Sequence, residues 1–334
     1  MRRRPACRST RLTPAPPRTF HGAMASRSRL PHVPWHVHYV ALSCIWGLSF
    51  YLMKLGNETL APVQVSLLRM AVGTGVLALI VVLRRDALPR SPRTWGHLLV
   101  TSALFNSVPM TLYAWSETRV SSIVAGIWNG TTPLFVLLVV SLLFPEERPT
   151  RQRVAGLVVG FAGVVTVLGP WSGLGGQSLL GNLAAMAAAV CYGFGYPYMR
   201  RHVSSTEYSG FSLSLVQLLL ATVCLAVVAP FATDAPSQVS ARSLLAVCIL
   251  GAVGTGLAYV LQYVVLRAVG TTTASTVTYL IPVVSTVAGI VLLDEHLRWN
   301  EPVGALVVLA GIALGQGLLR YPPGRTRPSA AGRP

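Results

Sequence analysis

The chain has 334 residues, of which 52% are hydrophobic and 11% charged, against about 25% charged in an ordinary soluble protein. That balance excludes a water-soluble globular domain, and the apolar content excludes disorder over most of the length. The formal charge of +17 suggests nucleic acid as a partner only until the positions of the basic residues are considered.

Residues 1–36 are polar and rich in Arg and Pro, and are expected to form a disordered basic tail. Its contact with anionic headgroups would be weak, and a start at Met24 would remove most of it. Beyond it, a hydrocarbon core about 30 Å thick sets the scale, because about 20 helical residues span it. Ten apolar stretches approach that length, at residues 37–55, 62–83, 95–116, 120–144, 154–168, 178–199, 210–230, 243–266, 271–293 and 302–319. Several gaps between them are only a few residues. Since backbone groups cannot be left unpaired in lipid, such stretches form helical hairpins rather than a barrel. The expected fold is an all-α integral membrane protein with ten transmembrane helices. The first stretch is not a cleavable leader, because it is too long, lacks an A-x-A exit and is followed by nine more. Of the cysteines, Cys7, Cys44, Cys191, Cys224 and Cys248, none forms a CxxC pair, and the four in apolar runs read as packing residues.

Basic residues fall unevenly on the two sides of these spans. One side collects the arginines of the first tail, then Arg84, Arg85, Arg90 and Arg93, then Arg148, Arg151 and Arg153, then Arg200, Arg201 and Arg267, and last the arginines from Arg320 onward. The other side has Lys54, Arg119, Arg242 and Arg298. A basic excess marks the cytoplasmic face, so both termini are expected to be cytoplasmic, in a multi-pass protein of the cell membrane. The same distribution accounts for the charge without nucleic acid.

The two halves repeat weakly. Asn129-Gly-Thr-Thr-Pro133 leads into an apolar run ending at Glu146-Glu147, and Thr278-Tyr-Leu-Ile-Pro282 leads into one ending at Asp294-Glu295. Trp46-Gly47 with Phe50 and Lys54 matches Tyr192-Gly193 with Tyr196 and Arg200. Each half holds five spans, an odd number, so the second half is expected to insert upside down relative to the first. That symmetry recurs in secondary transporters, whose substrate sits between the repeats near the midplane.

These residues carry a resemblance. The WGLSFYLMKLG string from Trp46 to Gly56, the stretch from Pro62 to Arg69, the two proline runs to Glu147 and Glu295, and Gly156 and Gly304 beyond them resemble the EamA-type transporters of the drug/metabolite transporter superfamily. The resemblance covers about residues 38–319. It implies two inverted five-helix repeats, here 37–169 and 178–319 with a disordered tail at 320–334, and export or exchange of small metabolites, often amino acids. The doubled Glu departs from the pattern, so the family's single acidic position falls on Glu146 or Glu147.

Intramembrane acids mark ion or proton coupling. Glu58, Asp86, Glu146, Glu147, Glu207, Asp234, Asp294, Glu295 and Glu301 all fall in connections, and Glu117 lies at the edge of the third span. Proton coupling would need Glu117 or a loop acid, which favours uncoupled or exchange transport. Neither a metal site nor a cofactor is expected, and no GxSxG, HExxH, Walker A or paired deep carboxylate points to an enzyme.

The deep polar residues are neutral. Pro133 and Pro282 free the carbonyls of Asn129 and Thr278, giving helix kinks that either line the pathway or are satisfied by neighbouring Ser and Thr. Asn106 and Thr255 hold corresponding places in spans three and eight, followed by Tyr113, Tyr259, Gln262 and Tyr263. Each is a substrate-contact candidate or a helix-to-helix bond. Trp46, Trp128, Tyr192 and Tyr279 add aromatic faces for an apolar or cationic group, whereas Trp35 and Trp95 read as interfacial anchors. Arg69 is the one charge well inside a span; it either serves the structure or neutralises an anionic substrate. Lys54 and Arg200 read as snorkelling end residues. Glycines at 156, 160 and 163 and at 304, 311 and 315 have close-contact spacing, for packing or a possible homodimer. The expected partners are thus a small-molecule substrate and the lipid bilayer. The rival readings are a multidrug exporter and, from another class, a membrane-embedded enzyme or lipid-binding scaffold.

Overall fold

A computed structural model describes residues 34–143, 150–169, 178–203, 206–275 and 277–317. The tails expected to be disordered therefore lie largely outside the described residues, as do Glu146 and Glu147. The first tail was expected to run to residue 36, but helix α1 already begins at Trp35.

The described chain is helical, with no strand among the described residues. Its helices are α1 (Trp35–Gly56), α2 (Pro62–Arg84), α3 (Pro92–Ser102), α4 (Val108–Glu117), α5 (Ser122–Gly130), α6 (Thr132–Leu143), α7 (Arg151–Leu168), α8 (Leu179–His202), α9 (Gly210–Ala232), α10 (Ala241–Gly251), α11 (Ala258–Ser275), α12 (Val277–Leu293) and α13 (Asn300–Gly315). Local chemistry sets the starts. Ser121, Thr150, Ser178, Ser209 and Ser240 each stand just before a helix and accept the backbone N–H three residues on, satisfying a donor that the helix cannot. Pro62 and Pro92 open α2 and α3, where a missing N–H costs nothing.

Among the described residues, eight helical segments are long and apolar enough to cross a membrane, with α3–α4, α5–α6 and α10–α11 each counting as one. Val277–Leu293 and Asn300–Gly315 are shorter apolar helices. The ninth stretch was expected to start at residue 271, but α11 runs on to Ser275, which shortens α12. Large apolar side chains such as Val223, Phe231, Val291 and Leu306 stay exposed, which suits lipid rather than water as the surrounding solvent.

Packing follows small residues. The two glycine stripes face each other inside one chain: a Cβ on Gly163 would stand 2.6 Å from the Val308 nitrogen and 2.8 Å from the Gly304 oxygen, and one on Gly156 would stand 2.5 Å from Gly315. This resolves the choice between packing and dimerisation for these stripes in favour of intramolecular α7–α13 contact. On another side, Met70, Leu77 and Val81 of α2 interlock with Phe211, Leu215 and Leu218 of α9. In the centre α5 crosses α12, where Gly126 abuts Ser285 and Gly130 abuts Pro282.

Gly163→Ala is expected to destabilise the purified protein by about 1–3 kcal/mol, since the backbone of α13 must give way. Gly75 has open space around it, so Gly75→Ala is expected to be neutral or slightly stabilising. Thermal unfolding in detergent compares the two, and equal effects would contradict the α7–α13 contact.

Candidate functional site

Two of the helical segments are not regular. Between α3 and α4, residues Ala103–Ser107 form a π-helical turn, and between α10 and α11 Ala252–Leu257 form another. Such turns widen the backbone by one residue and cluster at functional sites. Each is eased by a hydroxyl reaching back five residues: Ser107 Oγ donates to Ser102 O at 3.4 Å and Thr255 Oγ1 to Leu250 O at 3.3 Å. Asn106 and Thr255, paired in the sequence by position alone, thus sit on equivalent irregular turns. A third interruption comes at Thr131, between α5 and α6, whose N–H and hydroxyl both donate to Trp128 O. The two prolines differ in this respect, because Pro282 lies within the continuous α12.

The irregular turns surround a cavity of about 450 Å³, within the usual size of small-molecule pockets, about 300–1,000 Å³. Of the residues singled out in the sequence, Trp46, Arg69, Asn106, Tyr113, Asn129, Tyr192, Thr255, Tyr259, Gln262, Tyr263 and Thr278 line it. Tyr259 donates its hydroxyl to Asn106 Oδ1 at 3.0 Å, and Arg69 Nε donates to Thr255 Oγ1 at 2.9 Å. Asn129 Nδ2 points to the Tyr113 hydroxyl at 3.5 Å. Phe50, Tyr113, Tyr192, Phe105 and Tyr196 form a chain of ring contacts with centroids 4.9–6.3 Å apart.

Other expected site residues lie elsewhere. Trp128 is buried and donates its indole N–H to Asn182 Oδ1 at 2.9 Å, so it braces α5 against α8 instead of lining the cavity. Tyr279 hydrogen-bonds Gln316 Oε1 at 2.8 Å, away from the cavity. Pro133 and Pro282 shape helices without forming the wall. Residues the sequence reading passed over also line it, among them Ser49, Phe50, Thr132, Tyr196, Tyr208 and Gln217. Gln217, a buried amide in an apolar helix, carried the same signal as Asn106; Tyr196 carried one as the partner of Phe50 in the repeat.

The cavity reaches the α8–α9 connection at Thr206, Tyr208 and Gly210, whereas at its other end the lining stops at Met53 and Tyr113. Beyond that end lies a polar plug. Lys54 Nζ donates to Glu117 O at 2.8 Å and Val120 O at 2.9 Å and stands 4.0 Å from Glu295 Oε1, so it is a latch between helices rather than a snorkelling end residue. Asp294 takes a left-handed φ of 52°, a conformation that Asp tolerates better than most residues. The turn brings Glu295 onto the start of α5, where it accepts the N–H groups of Ser122 and Ile123 and the Ser122 hydroxyl. A carboxylate at a helix N-terminus meets unpaired donors and the positive end of the dipole.

Of the acids expected in connections, Glu301 needs correcting, whereas Glu117 stands at the edge of the third span as expected. Glu117 ends α4 and is 1% exposed, with neither carboxylate oxygen hydrogen-bonded among the described residues. Glu301 is buried in the first turn of α13, where it accepts the Arg298 N–H.

The described residues form a multi-span helical bundle around a polar and aromatic cavity, an architecture that a membrane carrier can use, and similarity to known proteins gives the family. The chain matches the EamA-like transporter family twice, over residues 34–169 and 179–315, and it belongs to that family. It is similar to an uncharacterized transporter of Archaeoglobus fulgidus, 29% identical over 273 residues, covering 80% of this chain and 93% of the relative. It is also similar to the uncharacterized transporter YoaV of Bacillus subtilis, 24% identical over 278 residues, covering 82% and 93%. A crystal structure shares the fold with a TM-score of 0.61 at 21% identity, covering 86% of this chain and 99% of that one. The protein is a multi-pass membrane transporter of a family named for transport rather than catalysis.

Glu295→Ala strips the start of α5 of its acceptor, and the expected loss is about 1.5–3 kcal/mol, the range for hydrogen bonds to a charged group. The thermal midpoint of the purified variant checks this; a midpoint equal to the parent's would contradict the cap.

Proposed function

We propose that this transporter exports or exchanges a small amphipathic metabolite, amino acids among them, by alternating access. The carrying observation is the cavity walled by irregular turns from both halves of the chain, because broken helices at membrane depth are tolerated where they face protein or a water-filled hollow. Two inverted five-helix repeats, over residues 37–169 and 178–319, give that cavity its place between the halves. The double match to one family profile and the pairing of the two π-helical turns support this arrangement.

The basic residues set the orientation. Arg84, Arg85, Arg90, Arg93, Arg200 and Arg201 gather at the end where the cavity reaches Tyr208, so that end is cytoplasmic in our reading and both termini share its side. The Lys54, Glu117 and Glu295 plug then closes the outer end, and the described conformation faces the cytoplasm. Exchange of cargo, with no obligatory proton, is the preferred mode. Among the described residues the cavity wall carries no carboxylate to hand a proton to the cargo.

Counterflow in liposomes tests the proposal: protein reconstituted with amino acid trapped inside is expected to accumulate labelled amino acid from outside. Asn106→Ala and Tyr263→Ala are each expected to slow counterflow by tenfold or more at normal expression. Unchanged rates in both variants would contradict the assigned site, and turnover without vectorial movement would favour an enzyme.

A further inference from the structure

Resting on that proposed transport role, the wall chemistry narrows the class of cargo. Arg69 is the one charged side chain lining the cavity among the described residues. It projects from α2, is 4% exposed, and its single hydrogen bond among the described residues is the one from Nε to Thr255 Oγ1 at 2.9 Å. No carboxylate stands within ion-pair distance of it among the described residues. The guanidinium is therefore held by one edge while its two terminal nitrogens have no partner among the described residues. A guanidinium carries five N–H donors, and burying it with one used and no carboxylate within ion-pair distance is unfavourable. Retaining it at a cavity wall makes physical sense when the occupant supplies the missing charge.

The neighbouring groups point the same way. The amide of Asn106 accepts the Tyr259 hydroxyl through Oδ1, and its buried Nδ2 has no partner among the described residues. One free cation and one free neutral donor suit a carboxylate, whose two oxygens fit the guanidinium fork. A second acid on the cargo would find no second cation on the wall, and a cargo ammonium would find no carboxylate there. The rest of the wall is neutral, with amides at Asn129, Gln217 and Gln262 and an aromatic part in which Phe50, Tyr113, Tyr192, Phe105 and Tyr196 form a chain of ring contacts.

We infer that the cavity selects small monocarboxylates with an apolar or aromatic body, the carboxylate seated on Arg69 and the body on the ring wall, and that an amino group on the cargo is tolerated but not required. Thr255 is a positioning residue in this arrangement, because its hydroxyl accepts from the Arg69 Nε–H and donates to the Leu250 carbonyl, which orients the guanidinium.

Three probes with one phenyl body separate the terms: 3-phenylpropionate, its amide and phenethylamine, titrated by calorimetry against the full-length protein in nanodiscs. The acid is expected to bind at least tenfold more tightly than the amide or the amine, with L-phenylalanine within a few-fold of 3-phenylpropionate. Arg69→Gln is expected to abolish the preference for acid over amide, with the acid losing at least tenfold in affinity. Thr255→Val is expected to reduce that preference several-fold. Should Arg69→Gln fail to fold, the ranking on the parent protein and the Thr255→Val ratio decide the matter. Equal binding of acid and amide by the parent protein, binding of none of the probes, or an acid preference that survives Arg69→Gln would overturn the inference. The expected ranking without counterflow in liposomes would instead overturn the transport role and leave the binding class standing.

Discussion

The governing constraint is that hydrocarbon offers no hydrogen bonds, so every backbone N–H and C=O at membrane depth must be paired within the protein or face enclosed water. A regular helix meets that demand by itself. This chain departs from regular helix at Ala103–Ser107, at Ala252–Leu257 and at Thr131, and residues of all three neighbourhoods, Asn106, Thr255 and Thr132, line one cavity. Hydroxyl groups relieve the strain locally, Ser107, Thr131 and Thr255 each bonding a backbone carbonyl on its own helix. The polar hollow and the irregular helices are thus two sides of one solution.

Close backbone contact provides the frame around that hollow. Glycine against glycine lets α7 and α13 meet without side chains between them, which in lipid is the main source of helix affinity. Charge is used sparingly and in different ways at different depths. At one end Glu295 serves as a helix cap and Lys54 ties carbonyls of the α4–α5 connection. In the cavity wall Arg69 leans on a neutral hydroxyl. The first two are structurally satisfied, and Arg69 retains binding capacity.

Much of this was legible in the sequence because apolar length is a local property. Eight of the ten stretches coincide with helical segments to within a few residues, and the other two, expected to end at 266 and to start at 271, differ because α11 continues past the expected turn. The pairing of Asn106 with Thr255 was also visible, since repeat position and polarity sufficed. The π-helical turns were not, because a shift in hydrogen-bond register changes no residue type. Trp128 and Tyr279 read as cavity aromatics until tertiary packing supplied Asn182 and Gln316 as partners. Glu117 looked peripheral for a similar reason: it stands at the end of α4, but that end is covered by the rest of the bundle.

The central claim is that residues from both halves face one shared aqueous cavity within the membrane, and thiol labelling tests it directly. In a cysteine-free background, Asn129→Cys and Gln262→Cys place one thiol from each half on the wall, while Val223→Cys and Val291→Cys place thiols on the exposed apolar surface. A charged, membrane-impermeant thiol reagent is expected to modify the first pair in inside-out vesicles and to leave the second pair unreacted. Equal labelling of all four positions, or none at 129 and 262, would contradict the account.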